Sequence, residues 1–274
     1  MHLIGAIIGD IAGSKYEFNN RRKKDFKFFG KGHNFTDDTV MTCAVALTLI
    51  NAEGDYSDLR ERTIRTMQSV GQCYPYCGYG ARFFRWIFAD NPQPLDSLGN
   101  GSAMRISPVA RFANSLKELK RMTRDITVVS HDHPEGLKAA EATAMACWYA
   151  KKGHTKEQIR KMIEERYYPE IADMHVEDLH RTYKKAIGDT EHREWATYSV
   201  PQALVCFFES ESFEDAIRNC VYIGGDCDTT GAIAGGVAEY YYGVPKELYD
   251  GAMKHLDSVL RTIVNRYYGD NATS

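Results

Sequence analysis

Apolar residues recur along this chain at intervals of three and four positions, which places them on one face of an α-helix. Val40, Ala44 and Leu47 show this spacing after an acidic segment, and a second example begins after Pro134. Period-two alternation, which would indicate strands, is not evident. Further helices are predicted at residues 3–14, 56–72, 79–90, 101–113, 116–128, 155–166, 176–187, 200–209, 213–222, 229–242 and 252–268. The pattern therefore predicts an all-α fold, a compact helical bundle.

One predicted helix is unusually rich in small residues. Residues 231–238 read GAIAGGVA, and a glycine inside a helix costs about 1 kcal/mol relative to alanine. A Gly-Gly pair is also a turn signal, so a loop is the alternative. Gly243 and Pro245 follow at positions suited to ending a helix, which favours the helix. We expect this segment to be a central helix with close neighbours.

Length and charge narrow the classes of protein. The 274 residues contain no linker or low-complexity run, so one domain spanning residues 1–274 is expected. A net charge of -3 and a pI near 6.3 argue against stable nucleic-acid binding through a broad phosphate-neutralising surface. A small or peptide-borne substrate fits better.

Cysteine usage and the N-terminus bear on location. The seven cysteines are odd in number and include no CxxC pair, which is typical of reduced thiols in a cytoplasmic protein. The apolar stretch at residues 3–8 is too short to span a membrane and follows no basic segment. We expect neither export nor a membrane anchor.

Two acidic segments carry the candidate chemistry. Residues 35–39 read FTDDT and residues 224–231 read GGDCDTTG, so each offers two carboxylates and a hydroxyl at a predicted helix start. Helix capping could explain one acid in each segment, but neighbouring carboxylates repel unless a cation separates them. Oxygen-only ligands suit hard cations, and neither segment has the pattern of an EF-hand. The segments therefore indicate magnesium or manganese.

Four segments in order bring a family resemblance. Residues 9–18 (GDIAGSKYEF), 35–39 (FTDDT), 99–105 (GNGSAMR) and 224–229 (GGDCDT) resemble the ADP-ribosylglycohydrolase family, and the likeness runs from about residue 3 to residue 245. It implies an all-α bundle of the ADP-ribosylglycohydrolase type with two Mg²⁺ or Mn²⁺ ions in a cleft. It also implies hydrolysis of the glycosidic bond between ADP-ribose and an acceptor, with a modified arginine as the expected acceptor.

The resemblance also implies roles for individual residues. Glu17 would contact or gate the metal site, or act as an acid toward the leaving group. The expected metal ligands are Thr36, Asp37, Asp38, Asp226, Asp228 and Thr229. The expected catalytic residues are Glu17, Asp37, Asp38 and Asp228. The expected substrate-binding residues are Asn100, Gly101, Ser102, His131 and Tyr79.

Structural alternatives stand beside several of these roles. His131 could be a local hydrogen-bonding residue and Tyr79 part of an ordinary loop-to-helix junction. Asp10 is expected to support the site by hydrogen bonding, and Arg105 to pack and pair. The loop at residues 19–34, rich in Lys, Arg and Phe, is a candidate for target selectivity, or a solvated loop with buried phenylalanines.

Two other functions stay open at this stage. The substrate could be a serine-linked or small-molecule ADP-ribose conjugate rather than an ADP-ribosylated arginine in a protein, because one metal centre can serve different leaving groups. A non-catalytic ADP-ribose-binding protein is the alternative from another class. The presence of all four acidic metal-motif residues and both threonines weighs against it.

Overall fold

The computed structural model describes residues 2–179 and 195–269, and within these ranges it contains helices and no β-strand. An isolated bridge joins Gly99 and Trp195. The predicted all-α fold is confirmed. The helices are α1 Ile4–Ser14, α2 Asp37–Asn51, α3 Leu59–Gly71, α4 Ala81–Ile87, α5 Gly101–Met104, α6 Val109–Phe112, α7 Leu116–Val128, α8 Pro134–Lys151, α9 Lys156–Arg166, α10 Ala196–Phe208, α11 Phe213–Ile223, α12 Cys227–Tyr242, α13 Lys246–His255 and α14 Ser258–Tyr268.

Helices α1 and α12 lie against each other through their backbones. Gly9 faces Gly231 and Gly5 faces Gly235, so the two helices run antiparallel. A Cβ atom on Gly9 would lie 1.9 Å from the carbonyl oxygen of Gly231, and one on Gly235 would lie 2.3 Å from that of Gly5. The four-residue spacing puts the glycines on one stripe of each helix. Only glycine permits this approach.

Helix α12 is the buried centre of the fold. Every residue from Cys227 to Tyr240 is buried, and α12 packs against α8, α10 and α11 as well as α1. The GAIAGGVA run lies inside this helix, which confirms the predicted central helix of small residues. The helix ends at Gly243, whose φ of +74° is in the left-handed region that favours glycine.

The starts of α2 and α12 are built from polar residues. The hydroxyl oxygen of Thr36 accepts the backbone N–H of Asp38 and caps α2. Helix α12 follows Gly224 and Gly225, whose φ angles of +75° and +77° turn the chain sharply after α11. Because α12 runs antiparallel to α1, its first residues lie beside the C-terminal end of α1.

Two of the predicted helices are each divided in the structure. The segment 101–113 forms α5 and α6, separated around Pro108, because proline lacks an N–H and disfavours helical conformation in the residue before it. The segment 252–268 is divided between α13 and α14. There the Asp257 carboxylate accepts the backbone N–H groups of Val259 and Leu260 and so begins a new helix.

Two other predicted windows differ in their bounds. Of the window 176–187, the described part contains a 3₁₀ turn at Val176–Asp178, and residues 180–187 lie outside the described residues. Helix α10 begins at Ala196, before the predicted start at residue 200, and continues through Pro201. The short 3₁₀ segment Pro169–Asp173 was not predicted.

The cysteines and the helix lengths give two further facts. All seven cysteines are free thiols, and five of them are buried. Among the described helices, none combines the length and the apolar character needed to span a bilayer.

We expect Gly9→Ala to destabilise the fold. Alanine would favour a helix by about 1 kcal/mol, but its Cβ would meet the backbone of α12, so we expect a net loss of about 3 kcal/mol or more in the free energy of unfolding. Urea denaturation measures this free energy of unfolding. Gly80→Ala is the control, because a Cβ there meets nothing within 4 Å. Equal stability of Gly9→Ala and wild type would contradict the role of this contact.

Candidate functional site

A cavity of about 660 Å³, here called the cleft, opens where α2 and α12 begin. Its wall includes the segment after α1, the starts of both helices and the loop that precedes α5. The structure thus brings together all six predicted metal ligands and four other predicted site residues. Those lining the cleft are Glu17, Thr36, Asp37, Asp38, Asn100, Gly101, His131, Asp226, Asp228 and Thr229.

Asp10 of α1 fixes the start of α2. Its side chain is fully buried, and its Oδ2 accepts the backbone N–H groups of Thr36 at 2.9 Å and Thr39 at 3.0 Å. The hydroxyl of Thr36 donates to Oδ1 at 2.8 Å, and the hydroxyl of Thr39 donates to Oδ2. This geometry agrees with the supporting role expected for Asp10, because the donors compensate for burying its charge.

Threonine and asparagine side chains connect the second acidic segment to its surroundings. The Thr229 hydroxyl donates to Oδ2 of Asp38 at 3.1 Å and so joins the starts of α2 and α12. The Asn100 amide donates to Oδ2 of Asp226 at 2.6 Å and to the hydroxyl of Ser199 at 3.0 Å. The loop before α5 is thereby tied to the acidic cluster.

The carboxylates form two adjacent groups. Asp10, Asp38 and Asp228 each place an oxygen within 4.8 Å of the others, and so do Glu17, Asp226 and Asp228. Asp228 belongs to both groups. Two cation positions that share one carboxylate are what this arrangement could provide.

The electrostatics of these groups fit a cation. Burial, with Asp10, Asp37 and Asp226 nearby, raises the pKa of Asp38 well above its usual value. Burial, followed by Asp226 and Glu17, raises the pKa of Asp228 in the same way. Oδ1 of Asp38 is buried and has no hydrogen-bond partner. Buried carboxylates with an unsatisfied oxygen suit a hard divalent ion, which prefers oxygen ligands.

A buried guanidinium also lines the cleft. Arg105 is 1% exposed, and its Nη2 donates to the hydroxyl of Ser130 at 2.6 Å while the group lies 5.5 Å from the centre of the Phe83 ring. Its Nε has no hydrogen-bond partner. No carboxylate in the described part of the chain lies within ion-pair distance of it. Burial lowers the pKa of Arg105 to about 9, so the group stays a cation at neutral pH.

His131 lies next to this guanidinium. Burial, with Arg105 nearby, lowers the pKa of His131 well below its usual value, so its ring is neutral. Its Nδ1 is 2.9 Å from the hydroxyl of Ser130 and 3.5 Å from Nη2 of Arg105. A cationic guanidinium beside a neutral imidazole gives this wall the capacity to hold an anion.

Two predicted substrate-binding side chains lie elsewhere. The Ser102 hydroxyl donates to the carbonyl oxygen of Gly99 at 3.3 Å, and the Tyr79 hydroxyl donates to that of Gly71, also at 3.3 Å. Neither residue lines the cleft. The sequence reasoning also treated Arg105 as a residue that packs and pairs. It does pack on Phe83, but it has no acidic partner among the described residues.

The sequence is similar to proteins of one enzyme family. The model of the ADP-ribosylglycohydrolase family matches residues 2–273. The chain is 26% identical to ADP-ribosylhydrolase ARH3 of Mus musculus, over 88% of this chain and 83% of that one. It is 25% identical to ADP-ribosylarginine hydrolase Tri1 of Serratia proteamaculans (strain 568), over 90% of this chain and 73% of that one.

A solved structure shares the fold. It is titled as an ADP-ribosylglycohydrolase-related protein complex, and it superposes with a TM-score of 0.66 over 97% of this chain and 95% of its own. The two sequences are 22% identical, so this likeness concerns the fold alone.

The crowded carboxylates predict an unusual effect of Asp38→Asn. Because the folded-state pKa of Asp38 is raised, its charge destabilises the metal-free fold above that pKa and ceases to do so at low pH. In chelator at pH 8 we expect Asp38→Asn to melt higher than wild type, by at least about 2 °C, with a smaller difference at pH 5. Differential scanning fluorimetry measures both.

With Mg²⁺, wild type should have a higher melting temperature than Asp38→Asn, the reverse of the order expected in chelator. Adding Mg²⁺ or Mn²⁺ should raise the melting temperature of wild type and shift Asp38→Asn much less, because a ligand is lost. Asp90→Asn, at an exposed position that does not line the cleft, is the matched control and should behave as wild type. Equal metal-induced shifts in all three proteins would refute the cation site.

Proposed function

The chain belongs to the ADP-ribosylglycohydrolase family, and from this premise we propose a hydrolase that uses two Mg²⁺ or Mn²⁺ ions to cleave the bond between ADP-ribose and a modified arginine. The observation that carries the proposal is Asp228, which belongs to two adjacent carboxylate groups in one cleft. Two ions sharing one carboxylate are a common arrangement for hydrolysis.

The proposed metal ligands come from the starts of two helices. Thr36, Asp37 and Asp38 would act from α2, and Asp226, Asp228 and Thr229 from α12. The raised pKa values of Asp38 and Asp228 support this assignment, because a bound cation would stabilise charges that burial, and then the neighbouring acids, make unfavourable. When bound, the ions would supply Lewis-acid polarisation of ribose oxygens and a water of lowered pKa.

Carboxylates of the chain would act on the attacking water and on the leaving group. A carboxylate of Asp37, Asp38 or Asp228 would accept the proton of the attacking water. Glu17 lines the same cleft, close enough to Asp226 and Asp228 to share a cation with them, and we assign it to the departing acceptor. A glycosidic bond breaks through an oxocarbenium-like state, so a carboxylate that holds the departing guanidinium by charge and hydrogen bonds stabilises the leaving group and lowers the barrier.

The diphosphate of the substrate would lie against the part of the cleft wall that contains Arg105. Arg105 offers a buried cation without a described carboxylate partner, and His131 and Gly101 line the cleft beside it. A diphosphate would satisfy the guanidinium by charge-assisted hydrogen bonds. Asn100 would position the ribose end, since its amide already holds Asp226. Ser102 and Tyr79 keep at most a supporting role.

Arginine is the proposed acceptor for an electrostatic reason. Glu17 and Asp37 are half-buried in the cleft wall, where they would attract a guanidinium and would gain nothing from a neutral serine hydroxyl. The similarity to ADP-ribosylarginine hydrolase Tri1 supports this choice, whereas the similarity to ARH3 keeps serine-linked and small-molecule conjugates as the alternative. A non-catalytic ADP-ribose-binding protein is the second alternative.

We expect the purified protein with Mg²⁺ to release ADP-ribose from an arginine-linked substrate faster than from a serine-linked one. Chelator and Asp228→Asn should both reduce release to the background rate, and Glu17→Gln should reduce it about 100-fold or more. Chromatography of released ADP-ribose is the measurement, with circular dichroism to verify folding and Asp90→Asn as control. Faster release from serine would overturn the acceptor, and tight binding without turnover would favour the binding protein.

Arg105→Met should weaken diphosphate binding selectively. Truncating one partner of a buried charge pair costs about 2 kcal/mol or more, so ADP-ribose should bind about 30-fold more weakly. Adenosine, which has no phosphate, should bind both proteins equally in calorimetry. The variant should fold, because replacing an unpaired buried charge with an apolar side chain is often neutral or stabilising. Unchanged affinity for ADP-ribose would exclude Arg105 from the substrate site.

A further inference from the structure

A second concave surface of about 990 Å³, here called the basic groove, lies beside the cleft. Its charged lining is almost entirely positive, with Asp25 as the one lining carboxylate in the described chain. The lining cations are Lys15, Arg21, Lys24, Lys27, Lys31 and Arg218. The whole chain carries a net charge of -3, so this concentration of cations is a local feature.

The lysines of the basic groove are the cations available to a partner. Arg21 pairs with Asp25 at 3.2 Å, and Arg218 pairs with Glu214 at 2.5 Å. By contrast, no described carboxylate lies within ion-pair distance of Lys24, Lys27 or Lys31, and the last two are exposed. Unpaired cations that share one concave surface repel each other and attract anions from solution.

The aromatic residues that line the basic groove are Tyr16, Phe26 and Phe29, and the ring of Phe28 contacts those of Phe26 and Phe29. The Phe26 ring lies 5.4 Å from that of Phe28 and 5.2 Å from that of Tyr16. The guanidinium of Arg218 covers Phe26 and Phe28 at 4.9 and 5.0 Å. These ring faces are therefore occupied, which disfavours stacking of nucleobases and leaves the ammonium groups as the recognition elements.

The basic groove and the cleft share a wall. Along the segment before α2, Lys31 and His33 line the groove, whereas the alternate residues Gly32 and Asn34 line the cleft. At the end of α1 the same division occurs between Lys15, which lines the groove, and Ser14, which lines the cleft. A chain that leaves the cleft mouth over this wall enters the basic groove.

We propose that the basic groove binds an acidic segment of the ADP-ribosylated protein, next to the modified residue in the cleft. The inference rests on the proposed function and deepens it, because it makes the natural substrate a protein with carboxylates near the modified side chain. Separate lysine ammonium groups match separate Asp and Glu side chains. The guanidiniums, which would suit bidentate phosphate, are already paired with Asp25 and Glu214.

The test uses charge reversal at Lys27 and Lys31. Three substrates are compared: an arginine-ADP-ribosylated peptide with flanking Asp and Glu, the same peptide with Ser at those positions, and ADP-ribosylarginine alone. Lys27→Glu/Lys31→Glu should lower kcat/KM for the acidic peptide about tenfold or more through KM, and should leave the other two substrates unchanged. Added salt should reduce the wild-type preference for the acidic peptide.

A matched control separates local from global charge. Lys117→Glu/Lys152→Glu changes the net charge equally at exposed lysines that line neither the groove nor the cleft, and should leave all three substrates unaffected. Equal losses in both double variants, or a loss that includes ADP-ribosylarginine, would overturn the proposal. A phosphorylated peptide is compared as a fourth substrate, and a loss confined to it would also overturn the proposal, because it would assign the groove to phosphate.

Binding measurements test the proposal for the basic groove independently of whether the protein catalyses hydrolysis. If wild type turns over none of the substrates, the proposed function fails. Fluorescence anisotropy with the labelled acidic peptide then still decides the groove, because weaker binding only in Lys27→Glu/Lys31→Glu supports it and equal binding in all variants refutes it.

Discussion

The backbone contact between α1 and α12 is the constraint on which the rest of the site depends. Glycines at positions 5 and 9 lie against glycines at 235 and 231, and a Cβ on Gly13 would lie 2.2 Å from the carbonyl oxygen of Cys227. Each helical glycine costs about 1 kcal/mol in propensity, which close packing must offset. Because Asp10 directly follows one of these glycines, the contact also fixes where the first buried carboxylate lies.

From that contact the acidic cluster follows through hydrogen bonds. Asp10 holds the start of α2 by its bonds to Thr36 and Thr39, and Thr229 joins α12 to Asp38. Threonine suits this work because its hydroxyl is short and its χ1 angle is restricted. The hydroxyls satisfy individual oxygens but bring no positive charge. The folded chain therefore keeps a repulsion between carboxylates that a bound cation would remove, so cation binding would stabilise the fold.

The sequence allowed the fold class and the cluster to be predicted because both depend on local signals. Helical periodicity predicted the helices, and two acidic helix starts in one family pattern predicted the residues of the acidic cluster. The break at Pro108 and the cap at Asp257 were also local signals, but apolar periodicity continued across them and hid them. The direction in which a side chain points could not be predicted from the sequence. The hydroxyls of Ser102 and Tyr79 donate to backbone carbonyl oxygens, and neither residue lines the cleft.

The partners of Arg105 were also beyond prediction from the sequence. A buried arginine is normally paired, so the expectation that it pairs was the sound inference from sequence. Whether an acid lies opposite depends on contacts between distant segments, here with Ser130 and Phe83, that no local pattern encodes. Similarly, the basic and aromatic loop at residues 19–34 admitted two interpretations. The structure agrees with the second interpretation, because Phe26 and Phe28 are buried while Lys27 between them is exposed, and the role in target selectivity stays a proposal.

The alternation of buried rings and exposed lysines explains how opposite charges coexist near the cleft mouth. The acidic cluster lies at the helix starts, whereas the rings of Tyr16, Phe26 and Phe29 line the groove together with its cations. Tyr16 also contacts His33, whose Nδ1 is 3.2 Å from the carbonyl oxygen of Ile11 in α1. The shared wall is thus attached to the helix that carries Asp10. Under the proposed function, a change of residues on its outer side would alter which proteins bind while leaving the carboxylates in place, so selection of the target and cleavage of the bond would vary independently.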